Sequence, residues 1–204
     1  MGRRAQRTST LIVEKAREVF LQKGYSGATI DDIAEAAGVS RSSFYTYFPS
    51  KRDVLLRLGT GTYEAMNDTI EKMMVVVDED PPDAVERIVR IYVELLDVHG
   101  AFLQVWGQAG FGDEELRRTG MRSKLATARR FAAVLKGLGW DPGEDDPALM
   151  SFAFEVLMDR FWFYERVAGL PATDDEMVAT LASIISAAIG RKRRPAARRR
   201  SAST

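Results

Sequence analysis

The chain has 204 residues, with 29 basic and 29 acidic side chains, one histidine and no cysteine. The lack of cysteine excludes disulfides, thiolate metal sites and cysteine nucleophiles. No apolar run approaches the ~18 residues that a membrane-spanning helix needs, and no hydrophobic stretch follows the basic N-terminus. We therefore expect a cytoplasmic globular protein that makes no membrane contact.

The zero net charge hides three blocks of different sign. Residues 1–52 carry nine basic and five acidic side chains, residues 53–190 carry 13 and 24, and residues 191–204 carry seven and none. Lysine and arginine displace counterions only where they touch phosphate, so a local basic surface is enough to bind a polyanion. The pattern favours nucleic-acid contact at the ends of the chain and disfavours it in the middle.

Apolar residues recur at helical spacing along most of the chain, and no convincing alternation of apolar and polar residues predicts a strand. We predict an all-α fold of about nine helices. The first covers 9–24, the next three begin at caps Thr29, Ser40 and Ser50, and the Asp80–Pro82 break ends the fourth. The later helices are expected at about 83–98, 100–112, 113–138, 148–168 and 173–190.

Two short helices joined by a tight turn, with a third helix bracing them, form a helix-turn-helix. Gly38 permits the left-handed turn, and Ala34 is small where the two helices cross. Phe44 and Phe48 stand at i and i+4 and are expected to face inward together. The remaining sides of the second helix stay exposed, and a helix of this kind fits the major groove of DNA.

The segment from Thr29 to Lys51 reads TIDDIAEAAGVSRSSFYTYFPSK and resembles the TetR family of one-component bacterial regulators. Gly-Val-Ser, Phe-Tyr-x-x-Phe and Ser-Lys stand in the family's register, with Tyr47 where members often have histidine. The resemblance implies a DNA-binding head at 1–52 with a basic arm. It also implies a helical ligand-binding and dimerisation domain at 53–190. Residues 191–204 are polar and basic, and this composition predicts a disordered tail.

The resemblance further implies roles for single side chains on double-stranded operator DNA. The residues implied to contact DNA are Thr29, Ser40, Arg41, Ser42, Ser43, Tyr45, Thr46, Tyr47 and Lys51. The guanidinium of Arg41 can read guanine or hold a phosphate, and both assignments stay open. Arg3, Arg4 and Arg7 form either an arm in the flanking minor groove or a solvated terminus.

Aromatic and methionine side chains are dense in the acidic middle of the chain. They predict either an ordinary core or a cavity for an apolar small molecule. Because helices four to eight build the effector pocket in the resembled family, we expect five residues to line it. These are Tyr92, Phe102, Trp106, Met121 and Phe154. The lone His99 is interpreted as a capping or solvated residue.

The eighth predicted helix is apolar on nearly all sides, and the ninth has a broad apolar face. A monomer would expose much of this surface, so the two helices predict a homodimer interface. Gly59 and Gly61 lie within the fourth helix, as close-packing positions, as a hinge or as glycines that the helix simply tolerates.

Together these features predict a ligand-responsive transcriptional regulator, most simply a repressor that a hydrophobic or aromatic molecule releases from a palindromic operator. The alternative is a constitutive architectural protein that binds DNA without sequence preference. The chain has no nucleophile-elbow motif, Walker loop or metal-ligand cluster, so we expect no enzymatic activity, cofactor or metal. The basic tail solubilises the chain, adds non-specific DNA affinity or folds onto the acidic middle block.

Overall fold

The computed structural model describes residues 2–144 and 146–190. Within these ranges the chain forms helices and no strands, as predicted. The eight helices are α1 (Arg3–Gly27), α2 (Ile30–Ala36), α3 (Arg41–Tyr47), α4 (Lys51–Glu79), α5 (Ala84–Gly112), α6 (Glu114–Gly137), α7 (Pro147–Arg166) and α8 (Asp174–Ala188). The predicted tail, 191–204, lies outside the described residues.

The fifth and sixth predicted helices form one continuous helix, α5. A break was expected at His99 and Gly100, but the helix runs through both residues. A glycine inside a helix costs only ~1 kcal/mol relative to alanine, which burial of the helix readily offsets. Helices α7 and α8 therefore correspond to the eighth and ninth predicted helices.

Helix α1 begins earlier than its apolar pattern indicated. Arg3, Arg4 and Arg7 lie in its first turns, so the predicted basic arm is helical in this structure. The helix kinks at Gly24, whose φ of 69° is a left-handed conformation that glycine adopts without steric cost.

The capping residues that the sequence predicted are in place. The Thr29 hydroxyl accepts a hydrogen bond from the Asp32 amide, and the Asp32 carboxylate accepts one from the Thr29 amide. The Ser40 hydroxyl accepts from the Ser43 amide at the start of α3. Between the two helices Gly38 has a φ of 63°, which permits the tight turn.

The helices pack into two compact units. The first contains the described residues up to Asp68 together with Leu95–Thr127, and the second contains Thr69–Glu94 with the described residues from Ala128 onward. In the first unit the apolar sides of α1 to α4 share a core with α5 and α6. Its fully buried members include Ile12, Phe20, Ile33, Phe44, Leu55 and Leu116.

The second unit has its own core. Tyr92 of α5 lies against Phe131 of α6, with 6.4 Å between the ring centroids. The Tyr92 hydroxyl donates to Asp159 of α7 at 2.9 Å, and burial raises the pKa of Tyr92 well above its ordinary value. Arg166 closes the turn between α7 and α8 with two hydrogen bonds to the Asp174 carboxylate, at 2.7 and 2.9 Å.

In the part of the chain that the structure describes, every helix is too short or too polar to cross a membrane. Over the same residues, no group of three or more histidine, aspartate or glutamate side chains is placed to hold a metal ion.

Candidate nucleic-acid interface

Helix α3 has one anchored side and one exposed polar side. Phe44 is fully buried, and Phe48 at the C-cap is nearly so. Their rings lie 6.1 Å apart, as their i, i+4 spacing predicts. Tyr47 packs partly against the same core. The helix is therefore fixed from beneath, which leaves its other side free for a partner.

The exposed side of α3 carries most of the side chains implied to contact DNA. Arg41, Ser42, Tyr45 and Thr46 are exposed, whereas Ser43 is half-buried. The Ser42 hydroxyl lies 2.9 Å from that of Ser40, and the Thr46 hydroxyl donates to the Ser42 carbonyl at 3.3 Å. Thr29 and Ser40 are exposed caps at the helix starts.

Arg41 is held by a carboxylate of the preceding helix. Its Nη1 lies 2.5 Å from Asp31 Oδ2, and its Nη2 lies 3.5 Å from the Tyr45 hydroxyl. The hydrogen bond from Arg41 to Asp31 raises the pKa of the guanidinium. The sequence alone does not indicate the pairing of Arg41 with Asp31, because no short-range pattern pairs residues ten positions apart across a turn. In the free protein, Asp31 already satisfies part of the hydrogen-bonding capacity that DNA would use.

Lys51 braces the start of α4. Its ammonium donates to the carbonyls of Tyr25 and Ala28, both at 2.8 Å, and lies 4.7 Å from the centroid of the Tyr25 ring. Burial lowers the pKa of this ammonium. Two of its three hydrogens are thus engaged inside the protein. The phosphate contact implied for Lys51 remains a prediction, and one hydrogen is available to make it.

Arg52 joins the start of α4 to the start of α6. Its Nε donates to Asp113 at 2.8 Å, and its Nη2 lies 2.7 Å from Glu115. Asp113 also caps α6 by accepting from the amides of Glu115 and Leu116. The bond from the Leu116 amide and the bond from Arg52 lower the pKa of Asp113. This clamp, which the sequence did not reveal, ties the start of α4 to the α5–α6 turn.

Trp106 explains one of the two glycines in α4. A methyl group on Gly59 would overlap the six-membered ring of Trp106, and one on Gly120 would overlap its indole nitrogen. The indole therefore packs between α4 and α6 only because both positions are glycine. By contrast, a methyl group on Gly61 would meet nothing within 4 Å. Close packing accounts for Gly59 but not for Gly61.

The five residues expected to line an effector pocket are divided between the two units. Phe102, Trp106 and Met121 belong to the first unit, whereas Tyr92 and Phe154 belong to the second. Phe102 and Trp106 make an edge-to-face contact at 6.2 Å, while Met121 is 47% exposed. That the five share one cavity stays a prediction.

His99 is half-buried in the first unit. Its Nδ1 lies 3.4 Å from the Thr62 hydroxyl. Burial, reinforced by the charge of Arg17, lowers the pKa of the imidazole. The ring is therefore neutral at pH 7, and it lies in the middle of α5 and not at the helix end that the sequence suggested.

Comparison with known proteins places this interface in a family. Residues 12–58 match the model for bacterial regulatory proteins of the tetR family. Over 193 residues the chain is 31% identical to the HTH-type transcriptional regulator EthR of Mycolicibacterium smegmatis, covering 90% of this chain and 88% of that protein. Over 96 residues it is 32% identical to the HTH-type transcriptional repressor DhaR of Mycobacterium sp., covering 45% and 46%.

A solved structure agrees over nearly the whole chain. The TetR-like transcriptional regulator LfrR from Mycobacterium smegmatis, crystallised in complex with proflavine, superposes with a TM-score of 0.63. It shares 25% sequence identity, and the match covers 92% of this chain and 98% of that one.

Proposed function

Because the chain belongs to the TetR family of DNA-binding transcriptional regulators, we propose that it is a cytoplasmic, ligand-responsive repressor. It binds a palindromic operator as a homodimer and leaves it when a hydrophobic or aromatic small molecule binds. The observation that carries this proposal is the exposed polar side of α3, held rigidly from beneath by Phe44 and Phe48. The repressor DhaR among its relatives supports the direction of regulation.

On DNA, α3 lies in the major groove with its N-terminal residues at the base edges. Arg41, Ser42, Ser43 and Thr46 approach the bases. Thr29, Tyr45, Tyr47 and Lys51 approach phosphates on either side. Arg41 exchanges Asp31 for an acceptor on DNA, so the pair seen in the free protein must open when the operator binds.

Helices α7 and α8 supply the dimer interface. Leu149 and Val156 of α7 are 62% and 42% exposed, and Ile184 of α8 is 44% exposed. Burying such side chains against a symmetry mate stabilises each copy by roughly 25 cal/mol per Å² of apolar surface. A two-fold dimer presents two copies of α3 to two half-sites, which matches a palindromic operator.

The effector acts through Trp106 and the Arg52 clamp. A ligand that displaces the indole from between Gly59 and Gly120 separates α4 from α6. Because Arg52 ties the starts of these two helices, the displacement is passed to the DNA-binding helices. A ligand shifts this equilibrium only by its difference in affinity for the two states. The proflavine complex of LfrR supports an aromatic effector.

Selection of genomic DNA fragments by the purified protein tests this function. We would use ~150 mM salt, where exposed charges more than about 8 Å apart are screened. The proposal predicts recovery of one or a few fragments that share a palindrome. Uniform recovery of all fragments would overturn it and favour the architectural alternative.

A further inference from the structure

The first unit contains an open cleft between α1, α4 and α5. Its volume is about 460 Å³, within the range typical of small-molecule sites. Val13 of α1, Leu58 of α4 and Phe102 of α5 supply apolar surface. Phe102 is buried and the other two are half-buried, so the floor of the cleft is apolar and firmly packed.

The charged side chains that line the cleft differ in how deeply they are buried. Glu14, Glu64 and Arg57 are exposed at its rim, whereas Arg17 and His99 are half-buried. Both line the cleft, and the charge of Arg17 contributes to lowering the pKa of His99. The inner end of the cleft therefore carries a cation and a titratable donor, with both carboxylates nearer to solvent.

The side chain of Arg17 has no bound acceptor within the described part of the chain. It makes no ion pair and no hydrogen bond there, unlike Arg41 and Arg52 of the same unit. The Thr62 hydroxyl, which is buried, also faces this end of the cleft and makes only the long 3.4 Å contact with His99. The guanidinium of Arg17 and one remaining N–H or O–H of the His99–Thr62 pair are thus donors without a strong acceptor at this end of the cleft.

Gly61 leaves open space on the α4 side of the cleft. It lines the cleft from within α4, and a methyl group there would meet nothing in the protein within 4 Å. Glycine inside a helix costs ~1 kcal/mol relative to alanine. Trp106 accounts for the neighbouring Gly59, but no side chain accounts for Gly61. The bare backbone at Gly61 therefore leaves room in the cleft that a side chain would fill.

We propose that this cleft binds a small organic carboxylate. The carboxylate lies between Arg17, His99 and the Thr62 hydroxyl, and the apolar body of the molecule rests on Val13, Leu58 and Gly61. A charge-assisted bond from a half-buried guanidinium gives the site its preference for an anion. This cleft is distinct from the operator-binding surface proposed for α3. Carboxylate binding in it can therefore be tested independently of the repressor function.

The single histidine of the chain makes the site directly observable. The Cε1–H signal of His99 would be followed by NMR during titration with sodium benzoate, and separately with benzamide, its neutral analogue of the same shape. We expect a saturable shift with benzoate and affinity for benzamide at least tenfold weaker. No shift with either probe up to about 20 mM, or equal affinities for both, would overturn the proposal.

Variants separate the proposed site from surface binding. Arg17→Gln removes the inner cation and should weaken benzoate binding about tenfold or more. Arg129→Gln, a change at an exposed arginine of α6, serves as the matched control and should leave the affinity unchanged. Equal affinities in these two variants would contradict the assignment of Arg17.

A second pair of variants tests the shape of the cleft. Gly61→Leu places a side chain in the cleft and should abolish the benzoate shift. Gly107→Leu is the matched change, because Gly107 is also an exposed helical glycine with open space around it. Since a Cβ at either position meets nothing within 4 Å and both positions are exposed, both variants should fold, which circular dichroism would check. Retention of benzoate binding in Gly61→Leu would overturn the proposed position of the ligand.

Discussion

Two parts of the first unit are built by different means. The α2–α3 segment is specified by contacts three or four residues apart, such as the Thr29–Asp32 cap and the Phe44–Phe48 pair. The α5–α6 side is specified by contacts between distant residues, such as the Arg52 clamp to Asp113, 61 positions away. Local contacts fix the surface that we propose meets DNA, and distant contacts fix how that surface is joined to α5 and α6.

The largest loss of stability is expected from a substitution at the close contact between Gly59 and Trp106. Gly59→Ala forces a methyl group into the Trp106 ring, and overpacking of this kind costs about 1–3 kcal/mol of unfolding free energy. The loss would be measured by urea unfolding. Replacing Trp106 with leucine in the same chain should recover most of it, because the overlapping ring is removed.

Gly61→Ala is the matched control for that substitution. It lies in the same helix and meets no neighbour, so it should raise the unfolding free energy by up to about 1 kcal/mol. Similar behaviour of the two variants would contradict the assignment of Gly59 to close packing.

Lys51 stands at the boundary between the two parts. Lys51→Ala removes two hydrogen bonds to backbone carbonyls and should cost about 1–2 kcal/mol of unfolding free energy, reduced by partial solvation. It should also lower the slope of log affinity against log salt by about one unit, since one phosphate contact is lost. Anisotropy titrations at several salt concentrations measure the slope. If stability falls but the slope is unchanged, Lys51 braces the start of α4 and does not contact phosphate.

Asp31→Asn tests whether Asp31 competes with DNA for Arg41. The exposed pair contributes little to stability, so the unfolding midpoint should be nearly unchanged. Freed from Asp31, Arg41 should raise the affinity for DNA of any sequence by up to about fivefold. Asp83→Asn, at an exposed acid outside the interface, should change nothing. A fall in affinity would instead show that Asp31 positions Arg41 for DNA.

The smallest effect concerns the cap of α2. The hydrogen bond from Lys23, with that from Thr29, lowers the pKa of Asp32 from 3.8 to about 2. Its stabilising contribution is therefore complete above about pH 4 and is lost as the pH falls toward 2. Urea midpoints of the native protein and of Asp32→Asn should converge over that interval. A difference that persists at pH 2 would contradict the shift.

The features that the sequence predicted correctly each depend on residues a few positions apart. A hydroxyl residue followed three positions later by an acid predicts a cap, and Gly38 between two apolar patterns predicts a turn. The same reasoning failed at Gly100, where burial of α5 offsets the cost of a helical glycine. It also missed Asp31 and Asp113 as partners, because each pairing depends on how helices pack and not on spacing along the chain.

Specific operator recognition by α3 is tested most directly by comparing wild type and Arg41→Ala on a random double-stranded DNA library, with sequencing of the bound fraction. The wild type should enrich a two-fold symmetric motif. If Arg41 reads a base, the variant should lose preference at one position in each half-site, and if Arg41 holds a phosphate, the motif should stay while the affinity falls. A wild-type library without any enriched motif would contradict specific operator recognition by α3.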